Sequence, residues 1–352
     1  MSDIRDRNGP LLGGDLLPEG RVRGFGFRVR PAPDRSCDTL LLEGEESLHQ
    51  APVRSVPVTA EGAVSLAPPP HARLDVDHIR KASDVDVNLP KAMRYLLTLP
   101  GTAWGAVAAT LISTIKSAGH FVWISGGAAR DMVDGGGVRA VNDLDLAGTA
   151  PPGQFTELAR KAMRGLGVEH REKISTDLVC SSWPVLGGPP VYEYRTLNMP
   201  ICRYPASGSD LIEDASTRDF TVNSIYYAPS DDPSNDEIVD PTGRGISDLL
   251  ARPRRLFSVN VSDDPVVRAT NVLRAIKFIL RWRDAPGIDL AEMMNWLPDD
   301  LNTRLEDSSW ELLMTAHHEY LAGAPVDQQL EAACELGPVA VKLVVELAGR
   351  VA

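Results

Sequence analysis

An α+β fold is predicted: an α/β head with a small mixed sheet over residues 91–258, a helical neck and short body over 259–352, and a β-containing or partly disordered extension over 1–90. Three observations predict it. Between residues 120 and 200 short apolar runs alternate with two helical stretches. From Asp263 onward the apolar positions recur with a helical period. The first ninety residues, by contrast, are rich in Pro and Gly and carry Pro68-Pro69-Pro70 near their end.

The elements follow in order. Arg21 to Arg30 alternates like a strand, Thr39-Leu40-Leu41-Leu42 is a second candidate, and Val53 to Leu66 has the composition of a hairpin. Pro90 to Ala118 reads as helix, with Leu96, Leu97, Val107, Leu111, Ile112 and Ile115 as its apolar face and an interruption at Pro100-Gly101. Phe121 to Ser125 is a short apolar strand, Gly126-Gly127 a tight turn, and Ala128 to Val133 the opening of a helix. After the loop Gly135-Gly136-Gly137, Val141 to Ala147 reads as a second strand. Phe155 to Leu166 is a helix, Ser175 to Ser182 and Val191 to Leu197 are strands, and Val266 to Arg283 is a long helix with Val272, Ile276 and Ile279 on one stripe.

Composition bounds the function. With 43% hydrophobic residues and no apolar stretch long enough to span a bilayer, a soluble protein is expected. Met1 to Arg7 lacks the apolar core of a signal peptide, and Cys37, Cys180, Cys202 and Cys334 form no CxxC pair, so reduced, buried thiols in the cytoplasm are expected. His317-His318-Glu319 reads as part of a surface helix, since adjacent histidines point to different sides of a helix and no third metal ligand is evident. The net charge of −12 opposes a general affinity for nucleic acid. A local cluster survives it: Arg252, Arg254, Arg255, Arg268, Arg274, Lys277, Arg281 and Arg283 either decorate a solvated helix or line a cleft for nucleotide and acceptor.

The chemistry is concentrated between residues 125 and 145. A strand, a Gly-Gly turn and a helix N-terminus, with Arg130 one turn in, present backbone N–H groups and a cation to phosphates at Gly126, Gly127 and Arg130. On the next strand, period-two alternation puts Asp143 and Asp145 on one face. Two such carboxylates suit Mg²⁺, and a metal pair roughly 3.5–4 Å apart activates an attacking hydroxyl while stabilising a leaving pyrophosphate. The combination points to nucleotidyl transfer, with Asp143 and Asp145 as catalytic metal ligands.

Gly126-Gly127-x-x-Arg130-Asp131 followed by Asp143-x-Asp145 resembles the signature of the class II tRNA nucleotidyltransferase (CCA-adding enzyme) and bacterial poly(A) polymerase family, within the polymerase-β superfamily. Three further segments resemble family motifs in the family's order: Arg218 to Ile225, Val239 to Gly243 with Asp248-Leu249, and Leu273 to Phe278. The resemblance covers residues 100–285. It implies a polymerase-β-like head, a two-metal Mg²⁺ site, Arg218 on the nucleotide, and Asp219 and Asn223 organising the turn and the sugar-side pocket. Asp219 also suits an N-cap of the following helix. Glu193 has two readings, a third metal carboxylate on a neighbouring strand or a half-exposed strand residue.

The chain departs from the family in the neck. Aligned on Arg274, the family's base-reading Glu-Asp-x-x-Arg falls on Val267, Arg268 and Asn271. Sliding upstream gives Asp264 and Arg268 the right types with one residue too many before the Arg. Asp264, Arg268, Arg274 and Lys277 are therefore the neck candidates for nucleotide binding. The loop from Asp131 to Asp143 is longer than is usual, and about 70 residues after the neck replace the larger body and tail that hold tRNA in the family. Three readings stand: transfer of CMP or AMP from CTP or ATP to an RNA 3′-hydroxyl, transfer to a small molecule or a protein, and a non-enzymatic binding protein descended from the enzyme.

Overall fold

In the computed structural model the described residues are 74–167, 169–174, 179–184, 191–197, 211–260, 262–283 and 287–351. The strands expected at Arg21 to Arg30, Thr39 to Leu42 and Val53 to Leu66 lie outside them. The elements are β1 (Ile79–Lys81), α1 (Ala82–Val85), α2 (Leu89–Leu97), α3 (Ala108–Ser117), β2 (Val122–Ser125), α4 (Gly126–Val133), β3 (Asp145–Gly148), α5 (Pro152–Gly165), β4 (His170–Ile174), β5 (Val179–Pro184), β6 (Tyr192–Thr196), α6 (Leu211–Thr217), β7 (Tyr226–Ala228), β8 (Glu237–Val239) and α7 (Gly245–Leu250). After them come β9 (Arg254–Arg255), α8 (Pro265–Arg281), β10 (Ile288–Asp289), α9 (Ala291–Trp296), α10 (Asp307–Leu321), α11 (Val326–Leu336) and α12 (Pro338–Val351).

Eight strands form one mixed sheet in the order β1-β8-β7-β2-β3-β6-β5-β4, with β3 and β6 parallel and the other pairs antiparallel. β1 precedes residue 90, so the end of the segment read as an extension is an edge of the head sheet. The central strands are buried on both faces, which is why they read as continuous apolar runs. Ile124 and Leu146 point into the main core with α3 and α5. Trp123 and Ala147 point the other way, into a smaller cluster with Leu197, Leu211, Ala215, Tyr226 and Val239. Ser125 and Asp145 continue that second face, so alternation delivers a hydroxyl and a carboxylate to one side of the sheet.

Several boundaries move. Pro100-Gly101 splits the expected first helix into α2 and α3, and Trp104 Nε1 donates to the Leu96 carbonyl at 3.1 Å to hold the break. α4 begins at Gly126 rather than Ala128, because Gly126 adopts φ 60° and turns strand into helix without a loop. β3 begins at Asp145 rather than Val141, leaving Asp143 in the approach to the strand. β4 is an additional strand. α8 starts on an Asp264 cap, whose Oδ1 accepts from Val266 N at 2.8 Å, with Pro265 at the first helical position.

The long helix α8 is buried nearly all round, with Val267, Val272, Leu273, Ile276, Phe278 and Ile279 among its buried residues, and it packs against α10 and α11. The main core runs without a gap from Ala82 to Leu347. His317 is a correction to the surface-helix reading. It lies on α10 as expected but is buried, and its Nε2 meets Gln329 Oε1 of α11 at 2.7 Å. Among the free cysteines described, Cys180 is buried and Cys334 is exposed, so burial of every thiol does not hold.

Candidate active site

The site is built where β2 ends. A Cβ on Gly126 would stand 2.5 Å from Asp145 Oδ2, and one on Gly127 would stand 3.6 Å from Asp143 Oδ1 and 3.7 Å from Arg130 Nη2. Glycine is required at Gly126 by both the positive φ and this approach. The turn therefore lies directly against both carboxylates. Leu144, buried between them, keeps Asp143 and Asp145 on one side although only Asp145 belongs to the strand.

Asp145 is flanked on both sides in the sheet. Ser125 is its antiparallel partner on β2 and Glu193 its parallel partner on β6, which puts all three side chains on one face. Burial, and then the charge of Asp143, push its carboxyl up to about 7, against the opposing pull of Arg218, Arg274 and Arg130. The residue retains some exposure, yet its Oδ1 is closed to solvent and has no hydrogen-bond partner among the described residues; Ser125 Oγ is in the same condition. Glu193 is buried at 5% exposure, which overturns the half-exposed reading.

These features fit a hard cation: two adjacent carboxylates, an orphaned buried oxygen and a space kept clear by glycine. They do not make a finished cage. Among the described residues no three His, Cys, Asp or Glu side chains are grouped to hold a metal ion. Asp143 and Asp145 are the pair that would hold Mg²⁺, with Glu193 registered beside Asp145.

The arginines are anchored. Arg130 is buried, donates from Nε and Nη2 to Asp131 at 2.8 and 3.1 Å and from Nη1 to Asn223 Oδ1 at 2.5 Å, and lies 4.9 Å over the Phe278 ring. These bonds use three of its five N–H groups. Arg218 contacts Asp214 Oδ2 through Nε and Nη2, both at 3.0 Å, and its Nε also donates to Tyr226 Oη at 3.0 Å. Asp214 accepts from Tyr226 as well and pairs with Arg195 at 3.2 Å. Burial opposes the charge on Arg218, but Asp214 and Tyr226 more than restore it and hold the guanidinium cationic.

Asp219 is not an N-cap. The short 3₁₀ turn Thr221–Asn223 has Phe220 at its cap with no side-chain cap bond, while Asp219 Oδ1 accepts from Phe220 N at 2.8 Å. Both Asp219 oxygens accept from Asn223 Nδ2 at 2.9 Å, and Arg274 Nε reaches Oδ2 at 3.1 Å. Arg274 and Lys277 stand over the Tyr320 ring of α10 at 5.1 and 5.3 Å. Burial, then Arg274 and Arg130, lower the Lys277 ammonium; Glu319 and Asp143 oppose this. Tyr320 Oη is buried without a partner among the described residues.

The other neck candidates turn elsewhere. Asp264 is exposed and caps α8. Arg268 donates to the carbonyls of Ser262 and Trp296 at 3.1 and 3.0 Å, pairs with Asp263, and lies over Trp296. The basic cluster is likewise divided: Arg254 pairs with Asp134, Arg255 with Asp248 and Arg283 with Glu331, leaving Arg274, Lys277 and Arg281 toward the motif residues. Sequence reasoning gave no role to Asp131, Asp214, Tyr226 or Tyr320. Asp214, four residues before Arg218, carried a helical-pair signal; Tyr320 carried none, being about forty residues away from Lys277 in the chain.

Residues 122–254 match the family described as the poly A polymerase head domain. The CC-adding tRNA nucleotidyltransferase of Shouchella clausii is 31% identical over 170 residues, covering 48% of this chain and 36% of that protein. Poly(A) polymerase I of Haemophilus influenzae is 26% identical over 232 residues, covering 58% and 46%. The crystal structure of the Bacillus stearothermophilus CCA-adding enzyme in complex with CTP is 21% identical, with coverage of 66% and 52% and a TM-score of 0.44. The chain thus spans less than half the length of the two curated relatives.

Proposed function

We infer that this chain, whose residues 122–254 match the poly A polymerase head domain family, is a nucleotidyltransferase moving CMP or AMP from an NTP to an RNA 3′-hydroxyl. One observation carries the reading: the turn at Gly126-Gly127 lies against Asp145 and Asp143, with Arg130 Nη2 beside it. Phosphates seated on the turn meet backbone N–H groups, the remaining N–H groups of Arg130, and the two carboxylates in one place. Mg²⁺ held by Asp143 and Asp145, with Glu193 as a further oxygen ligand, would neutralise the triphosphate and lower the pKa of the attacking hydroxyl. That hydroxyl oxygen forms a bond to the α-phosphorus as the bond to pyrophosphate breaks. Arg218 contributes charge from its fixed place on Asp214, Asp219 and Asn223 shape the sugar-side pocket, and Arg274 and Lys277 bring cations from the neck. Asp264 and Arg268 have a lesser share, because their own hydrogen bonds hold the start of α8.

The names of the relatives support tRNA or another RNA as acceptor, with CTP or ATP as donor. No described helix is long and apolar enough to cross a membrane. A second reading, transfer to a small molecule or a protein, is favoured by the net charge of −12 and by the dispersal of the basic cluster into local ion pairs. Incubation with each labelled NTP and Mg²⁺, with tRNA lacking its 3′ end or with no RNA, separates the two by the labelled product. Asp143→Ala and Asp145→Ala should each lower turnover by at least ~10³-fold with the fold intact, the order expected when a principal electrostatic contributor is removed. Pyrophosphate release at the parental rate by either variant rejects the assignment.

A further inference from the structure

Arg274 and Arg281 stand seven residues apart on α8 and so share a face. From Arg274 the contacts pass to Asp219, Asn223, Arg130 and Asp131, and Arg281 Nη2 closes the path by meeting Asp131 Oδ2 at 2.8 Å. The path leaves the neck helix at one point and returns to it two turns later. Phe278 fills the space between, under the Arg130 guanidinium and edge-on to Phe220 with centroids 5.7 Å apart.

The charges of this circuit raise a difficulty that one residue removes. Arg130 is fixed by a two-point contact with Asp131, and that contact cancels the positive charge an NTP phosphate needs. Arg281 places a second guanidinium on the same carboxylate. The trio of Arg130, Asp131 and Arg281 is then net +1, and Arg274 with Asp219 is neutral. We propose that Asp131 and Arg281 are positioning residues for Arg130: Asp131 sets the orientation of its fork toward the glycine turn, and Arg281 offsets the Asp131 charge so that Arg130 attracts the triphosphate.

The proposal rests on the nucleotidyl-transfer reading, and its consequences are separable from it. The Arg281 side chain is 30% exposed and donates to Asp131 and, at 3.4 Å, to the Ala140 carbonyl, so Arg281→Gln should leave melting close to the parent. Titration of the full-length protein with ATP and CTP should show affinity weakened by about tenfold, roughly the loss of one charge-assisted contact. In steady state KM should rise with kcat little changed. Arg281→Lys, which keeps the charge, should recover most of the affinity. In an Arg130→Gln background, Arg281→Gln should have little further effect, because the group through which it acts is gone.

Unchanged NTP affinity in Arg281→Gln, or an undiminished loss in the Arg130→Gln background, overturns the proposal while leaving nucleotidyl transfer by the parent intact. A parent that binds neither ATP nor CTP removes both together. If Arg130→Gln does not fold, the lysine variant still decides: Arg281→Lys as weak as Arg281→Gln would refute a role for the charge.

Discussion

Asp145 concentrates the tension of the site in one side chain. Its carboxyl holds a proton to about pH 7, whereas the unfolded chain releases it near the ordinary 3.8. The native state therefore binds more protons between those values, and this carboxyl makes stability fall as pH rises through that window. In cation-free buffer at pH 8, Asp145→Asn should melt above the parent, with the difference closing toward pH 4. Mg²⁺ should raise the melting temperature of the parent and not that of the variant. An Asp145→Asn protein that melts below the parent at pH 8 would show that the carboxylate is satisfied without a cation.

At the scale of elements, the chain itself made the central unit legible, because strand, glycine turn, helix and carboxylate strand are each specified by local residues. The orientation of α8 was legible only in part. Arg274 lay in a recognisable motif, but Arg268 has the same residue type and points about 120° away around the helix, where Trp296 and Ser262 take its donors. Local pattern cannot separate two arginines whose partners come from distant segments. The same reason hid Asp214, which receives Arg195 from β6, Arg218 from the turn after α6 and Tyr226 from β7. Removing that carboxylate takes a shared anionic partner from two buried guanidinium groups, so Asp214→Ala should cost about 3–5 kcal/mol in chemical denaturation. A loss below 1 kcal/mol would mean that solvent reaches both arginines.

For the whole molecule, an RNA acceptor would have to be held by the neck cations Arg274 and Lys277 against a net charge of −12. Each neutralised phosphate contributes about 0.7–0.9 to the log–log slope of affinity on salt, so Arg274 and Lys277 support a slope of about 1.4–1.8. Filter binding of tRNA from low to moderate salt should show that shallow dependence; no salt-sensitive binding at the lowest salt would retire RNA as the acceptor. The unbroken core from Ala82 to Leu347 has a separate consequence. A shared apolar interior should make the catalytic portion and the helical tail open together, and not as two independent parts. Amide exchange in the buried middle of α12, at Leu343, Val344 and Leu347, should slow when ATP occupies the glycine turn, although none of those residues belongs to the candidate site. Exchange there that ignores the nucleotide would show two independently melting parts joined only by sequence.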